Sequence, residues 1–424
     1  VTKTEKLEGS VEAPPSKAHT HRALIAAAIS DGRSTIERPL VCEDTLATVE
    51  ACSMLGAGVR STGQGFTVEG APRPATPEDV INCRDSGSTI RFMTPVCALA
   101  DGITVLTGSA SLRGRPMGPL LDALGQLGVR CHSARADGRP PIVVFGGGIE
   151  GGRASIRGDV SSQFVSGLLF AAPRARSRTE IRVTTRLESR PYVAMTLALL
   201  RDHGIGVDPS PDYRRFTVPP GQDYAPASHI IEGDYSSAAF LLAAASATES
   251  HVRVAGLPRK TLQGDQAIVT VLQRMGAHVE AGGDYVEVRG LPGGLRGAEV
   301  EVRDTPDLAP ACAALACLAR GRTVIRGGGR LRFKESDRIA ALSAELGKMG
   351  GGVAGSGDGL VIEGGRLHGA EVDSHRDHRV AMACAVAALG AEGTTVIHGI
   401  ECVNKSYPGF VEDLRSLGAE AHVR

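Results

Sequence analysis

The chain has 424 residues with 47 Lys+Arg against 47 Asp+Glu, so no net field draws it to nucleic acid or to an anionic membrane surface. That length exceeds one compact core and suits two domains, and 54 glycines with 4% aromatic residues and no tryptophan describe a tightly packed, alanine-rich α/β protein, not a disordered one. Nine cysteines without a Cys-x-x-Cys pair, with Cys97, Cys312, Cys317 and Cys384 inside apolar runs, argue against a disulfide framework or a zinc site. Residues 1–5 do not read as a signal peptide, and no apolar run reaches membrane-spanning length. A soluble, cytoplasmic protein is expected.

In chain order, residues 2–7 predict a strand that stands before the first of a series of repeats. Polar openings then lead into Ala/Leu-rich segments at Ser16-Lys17, Asp85-Ser86-Gly87-Ser88, Ser161-Ser162-Gln163, Ser236-Ser237, Pro306-Asp307 and Asp377-His378-Arg379. Residues 24–29, 240–245 and 311–317 are apolar nearly all round, which predicts buried helices. A second helix series ends at Leu55-Gly56, Leu127-Gly128, His203-Gly204, Met275-Gly276, Met349-Gly350 and Leu417-Gly418. Each glycine reads as a helix C-cap, and the caps recur roughly every 70 residues. Hairpin-like stretches follow at residues 65–68, 215–218, 284–288 and 358–362, so Gly355-Ser356-Gly357-Asp358-Gly359 predicts a turn and not a nucleotide loop.

Six such units divide as three plus three. Residues 15–228 are expected to hold the first three, and residues 1–14 with 229–424 the last three, the N-terminal strand completing the sixth unit's sheet. Parallel buried helices within each domain would aim their N-termini at the interdomain cleft, where free N–H groups and helix dipoles favour anions.

Chemistry concentrates at Arg330-Leu331-Arg332-Phe333-Lys334-Glu335-Ser336-Asp337-Arg338. Glu335 and Ser336 precede an apolar-periodic run (Ile339, Leu342, Leu346, Met349), which predicts that residues 334–338 form a helix's first turn. Taken alone, a basic run is as readily a solvated face. Capping, however, explains neither Lys17, Arg22, Arg91 and Gln163 nor His378 and Arg379 just inside other first turns. That recurring surplus is the functional signal.

The ordered motifs carry a resemblance over the whole chain: Pro15-Ser16-Lys17 with Arg22, Asp85-Ser86-Gly87-Ser88-Thr89-Ile90-Arg91, Arg115-Pro116-Met117-Gly118, Ser161-Ser162-Gln163-Phe164 and Ser189-Arg190-Pro191-Tyr192. Glu232-Gly233-Asp234-Tyr235-Ser236-Ser237, Asp304-Thr305-Pro306-Asp307, Lys334-Glu335-Ser336-Asp337-Arg338, Asp377-His378-Arg379 and Lys405-Ser406-Tyr407-Pro408 continue it. The sequence resembles the enolpyruvyltransferases, in their 5-enolpyruvylshikimate-3-phosphate synthase (3-phosphoshikimate 1-carboxyvinyltransferase) branch. The resemblance implies an α/β fold, a two-domain inside-out barrel of six βαβαββ repeats. It implies transfer of the enolpyruvyl group of phosphoenolpyruvate to the 5-hydroxyl of shikimate-3-phosphate, with release of phosphate through a tetrahedral intermediate. That is a step of aromatic amino acid biosynthesis by the shikimate pathway, with no metal or cofactor. The sequence carries no oligomerisation signal, so a monomer is expected.

By that resemblance Lys17, Gly87, Arg91, Arg115, Gln163, Arg338, Arg379 and Lys405 serve phosphoenolpyruvate. Lys17, Arg22, Ser161, Ser162, Gln163, Ser189, Tyr192, Asp307 and Lys334 serve shikimate-3-phosphate. Glu335 gives and retakes the methylene proton, Asp307 accepts the hydroxyl proton, and Lys17 shares proton traffic at the bridging oxygens. The plain alternative for Asp307 is a helix cap, and for Lys405 a surface lysine before a turn, against which Tyr407-Pro408 offers a helix start immediately behind it. Ala18, Asp85, Ser88 and Arg330 depart from the family's commonest residues. Rival readings are an enolpyruvyltransferase for another acceptor, such as UDP-N-acetylglucosamine, whose branch needs a cysteine that residues 109–118 lack, and a non-catalytic anion-binding module. His375 and His378 could be offered as metal ligands, but their helix entrance favours ligand orientation or capping.

Overall fold

Helix starts are set by side-chain caps. In a computed structural model, which describes residues 1–290 and 294–423, Ser16 opens the helix Lys17–Ala28, Ser86 opens Gly87–Cys97 and Ser161 opens Ser162–Ala171. Asp234 opens Tyr235–Ala247 and Asp377 opens His378–Leu389, each carboxylate accepting from backbone N–H groups of the first turn. The helix Ala309–Leu318 starts instead from a single 3₁₀ turn, Pro306–Leu308. All of these helices are buried on nearly every face, which is why their sequences show no apolar stripe.

The chain forms two compact units, residues Pro15–Ile231 and residues Val1–Pro14 with Glu232–Arg424. Within each, the recurring sheet is a parallel strand pair extended by an antiparallel hairpin. In the first unit Arg33–Glu37 lies between Ser228–Ile230, which is parallel to it, and Gly65–Glu69, which pairs in turn with Gly58–Thr62. The same order recurs through Ile81–Asn82, Ile103–Thr107, Ile142–Phe145 and Cys131–Ser133, and through Gly152–Ile156, Thr179–Val183, Arg215–Val218 and Asp208–Pro209. A parallel pair needs a long crossover, and where both strands belong to one repeat, as with Ile81–Asn82 and Ile103–Thr107, the buried helix between them supplies it.

Two expectations are corrected by strand pairing. Lys6–Glu12 runs parallel to Glu249–Ala255, so it completes the fourth repeat's sheet and not the sixth's. Leu7 and Val11 thereby join the core of Val252 and Val254. The N-terminal residues also touch the sixth repeat, through Thr2 N–H to the Glu420 carbonyl, Glu8 N–H to the Leu417 carbonyl and Thr395 N–H to the Val1 carbonyl. The second crossing lies at Ile231/Glu232, not at 228/229, because Ser228–Ile230 pairs with Arg33–Glu37 and Ile231 N–H bonds the Glu37 carbonyl. Each strand at a crossing therefore opens the first sheet of its own unit.

The covering helices Glu43–Met54, Gly118–Gln126, Arg190–Asp202, Ile268–Arg274, Arg338–Lys348 and Phe410–Ser416 are each followed by a glycine with φ between 77° and 104°. Only glycine adopts that left-handed end without strain. Gly357-Asp358 joins the strands Gly352–Ser356 and Gly359–Glu363, with Ser356 opposite Gly359, and is a hairpin turn.

Candidate active site

The first unit gathers its cations at three helix starts. Lys17 begins its helix with Nζ 3.0 Å from Oδ2 of the buried Asp44, on the covering helix Glu43–Met54. Arg91 donates from one terminal nitrogen to Gln163 Oε1 at 2.7 Å, and Gln163 Nε2 donates to Ser88 Oγ at 2.8 Å, so two repeats share one network. Gly87 separates two guanidiniums: a methyl group there would stand 2.8 Å from a terminal nitrogen of Arg115 and 3.4 Å from one of Arg91. Arg115 is itself buried, with Ser111 Oγ at 3.3 Å and Asp85 Oδ1 at 3.6 Å. Ser161 and Ser162 are buried at the third helix start, and the buried Ser189 holds a left-handed conformation (φ 53°) ahead of Tyr192.

Arg22 lies deeper than its sequence neighbours. Its Nε donates to Thr196 Oγ1 (2.8 Å) and its terminal nitrogens to the carbonyls of Ala18 (2.8 Å) and Tyr192 (3.1 Å), with the guanidinium over the Phe92 and Tyr192 rings. Burial pulls its pKa down to about 10, so it stays charged at neutral pH.

The second unit is organised by ion pairs. Arg338, only 1% exposed, bonds Asp377 through Nε (2.8 Å) and NH2 (3.2 Å), Asp307 through NH1 (2.8 Å) and Glu335 through NH2 (2.8 Å). Lys334 Nζ is 3.2 Å from Asp307 Oδ1, Arg379 Nε is 3.3 Å from the same oxygen, and Lys405 Nζ is 3.4 Å from Glu335 Oε1. Burial alone would raise the pKa of Asp307, yet Arg379, Lys334 and Arg338 together hold it well below the carboxylate range. Burial also lowers Lys334, to about 8.

Three local expectations change. Residues 334–336 are not a helical first turn: the 3₁₀ segment Gly329–Phe333 precedes them, and Asp337 caps the N–H groups of Ile339 and Ala340 so that the helix starts at Arg338. Lys334 and Glu335 are therefore placed by their ion pairs and not by helical backbone. Asp307 caps nothing with its side chain; it lies in the 3₁₀ turn with its carboxylate spent on three cations. Lys405 is buried at the end of the 3₁₀ segment Ile400–Lys405, and the helix behind it begins only at Phe410. His375 and His378 serve different neighbours, His375 Nε2 lying 2.8 Å from Glu345 Oε1 and His378 Nδ1 3.9 Å from Asp377 Oδ1. Arg330 donates to the Arg303 carbonyl at 2.8 Å.

Comparison with known proteins matches residues 1–414 to the family model described as EPSP synthase (3-phosphoshikimate 1-carboxyvinyltransferase). The chain belongs to the EPSP synthase family. It is 42% identical over 428 residues to a 3-phosphoshikimate 1-carboxyvinyltransferase of Methanocaldococcus jannaschii, covering 100% of this chain and 99% of the other. It is 45% identical over 417 residues to that of Methanocella arvoryzae, covering 98% and 97%. Among solved structures, EPSP synthase from Acinetobacter baumannii aligns with a TM-score of 0.83 at 27% identity, covering 100% of this chain and 99% of that one. The fold is that of the EPSP synthases.

Two carboxylates that pair with candidate site residues were not singled out by sequence. Asp44 pairs with Lys17, and its only signal was an acidic helix opening, Glu43-Asp44. Asp377 stands inside a matching motif, but nothing in the motif marks it as the anchor of Arg338, 39 positions away.

Proposed function

We propose that the residues gathered in the two units act on one substrate pair, transferring the enolpyruvyl group of phosphoenolpyruvate to the 5-hydroxyl of shikimate-3-phosphate with release of phosphate. The observation that carries this reading is the split of labour. In the first unit Lys17 and Arg91 stand at helix starts, Lys17 against Asp44, with Arg115 near Asp85; in the second Glu335 and Asp307 stand among cations.

Phosphoenolpyruvate takes Arg91, Arg115 and Gln163 on one side, beside Gly87, and Arg338, Arg379 and Lys405 on the other, with Lys17 at the bridging oxygen. Guanidinium forks suit a phosphate and a carboxylate on one small molecule. Shikimate-3-phosphate takes Ser161, Ser162, Gln163, Ser189 and Tyr192, with Arg22 behind Tyr192, and Lys17, Asp307 and Lys334.

Glu335 protonates the methylene carbon, C2 becomes electrophilic, and the 5-hydroxyl oxygen adds to it as Asp307 takes its proton. Glu335 then removes a proton from the new methyl group as the carbon–oxygen bond to phosphate breaks, and Lys17 protonates the departing oxygen. Held ionised by three cations, Asp307 is a weak base at rest. Ligand anions that draw on Arg338 and Arg379 weaken that hold, so its basicity rises when the site fills. The enzyme works as a monomer in the cytoplasm; its nine free cysteines, seven of them buried, suit a reducing compartment.

Phosphate release should require phosphoenolpyruvate and shikimate-3-phosphate together, and UDP-N-acetylglucosamine should not replace the second. Release with the sugar nucleotide alone as acceptor would favour the sister reaction. Gly87→Ala puts a methyl against Arg115, and the crowding is expected to raise the KM for phosphoenolpyruvate about tenfold. The KM for shikimate-3-phosphate should stay within about twofold; an unchanged phosphoenolpyruvate KM would remove Gly87 from that ligand's surroundings.

A further inference from the structure

Resting on the reaction just proposed, we infer that His21 is a positioning residue: with Thr48 it forms the inner rung of a two-rung ladder that fixes Lys17 against Asp44. Lys17 and His21 are four residues apart on one helix, and Asp44 and Thr48 four apart on the next, so each pair shares a helix face one turn below the other. The outer rung is the Lys17–Asp44 ion pair at 3.0 Å. The inner rung is His21 Nδ1 to Thr48 Oγ1 at 2.7 Å, between fully buried side chains.

The inner rung does not end at Thr48. Thr48 Oγ1 lies 2.7 Å from Thr89 Oγ1, which donates to Ser86 Oγ at 2.7 Å, and Ser86 caps the helix that carries Gly87 and Arg91. His21 Nε2 has no partner and is buried, so a proton placed there would be an unsatisfied donor; the proton sits on Nδ1 and the bond runs from His21 to Thr48. Burial, with Lys17 and Arg22 adding, holds the imidazole well below its ordinary pKa, which keeps this single tautomer neutral. Next in sequence, Arg22 reaches the other way, to Thr196 Oγ1, which donates to Ser166 Oγ on the third repeat's buried helix. Adjacent residues of one helix thus tie it to both neighbouring repeats. The charged outer rung keeps some exposure, 17% at the Lys17 side chain, so a substrate can draw on it; the inner rung is fully buried, and so it sets where Lys17 returns.

The test combines His21→Leu, His21→Asn, whose side-chain amide replaces the Nδ1 donor, and the near-isosteric Thr48→Val. His21→Leu and Thr48→Val should each lower kcat about tenfold with both KM values within a few-fold, the double variant should be no worse than either, and His21→Asn should recover most of the loss. Independently of turnover, Lys17 acylation followed by mass spectrometry should quicken several-fold in the Leu and Val variants and stay at the parent rate in the Asn variant. If the parent enzyme shows no transfer, the reaction assigned above fails, while the labelling rates still decide the ladder. Lys17 labelled at the parent rate in both variants overturns it, as do additive losses in the double variant or equal losses in His21→Leu and His21→Asn. If His21→Leu does not fold, Thr48→Val and His21→Asn decide alone.

Discussion

Glu335→Gln is expected to lower turnover by roughly 100-fold or more while shikimate-3-phosphate affinity stays within a few-fold. The amide keeps the shape and still accepts from Arg338 through its oxygen, so the 2.8 Å contact survives without a charge. Arg338 retains Asp377 and Asp307, so the variant folds. What disappears is the proton: an amide can neither give one to the methylene carbon nor retake one from the methyl group. Exchange of the phosphoenolpyruvate methylene protons with deuterated solvent should vanish along with turnover, while calorimetry still detects shikimate-3-phosphate. Turnover near the parent rate would remove Glu335 from the mechanism, and equal loss of binding would make its role electrostatic.

The repeat was legible because its punctuation is local. A C-cap glycine and a polar helix opening each depend on one or two residues, and they recur in step, as at Leu55-Gly56 and Leu127-Gly128. The destination of the strand Lys6–Glu12 was not legible, because Leu7 and Val11 would fit any apolar sheet face and only tertiary packing selects the fourth repeat. The start at Arg338 was missed for a local reason: Glu335, Ser336 and Asp337 are all plausible openers, and the capping bonds to Ile339 and Ala340 single out Asp337. Pairings such as Lys17 with Asp44 span 27 positions, and no motif marks them. Residue types were readable at the site; who holds whom was not.

Arg338→Met is expected to destabilise the unit that carries residues 232–424 by about 3–5 kcal/mol at neutral pH, the loss typical of removing one partner from a buried ionic cluster. Methionine fills the space of the stem but leaves Asp377, fully buried, hydrogen-bonded to Ser336 Oγ and the Arg379 backbone N–H without a guanidinium to balance its charge. Asp307 keeps Lys334 and Arg379, so the largest part of the loss falls on Asp377. The pH dependence follows from the sign of the Asp307 shift. A carboxylate held below its unfolded pKa adds stability that is complete above about pH 4 and is lost as pH falls through the folded value. The gap between parent and variant should therefore be widest at neutral pH and narrow steadily below about pH 4, where Asp307 takes up a proton on unfolding. Urea unfolding followed by probes in each unit would read this, since only the transition of the second unit should move. Arg338→Lys should recover only part of the loss, because one ammonium cannot reach three carboxylates from the fork's fixed geometry. A gap of equal size at pH 7 and pH 3.5 would mean that packing of the side-chain stem, and not the ion pairs, carries Arg338's contribution.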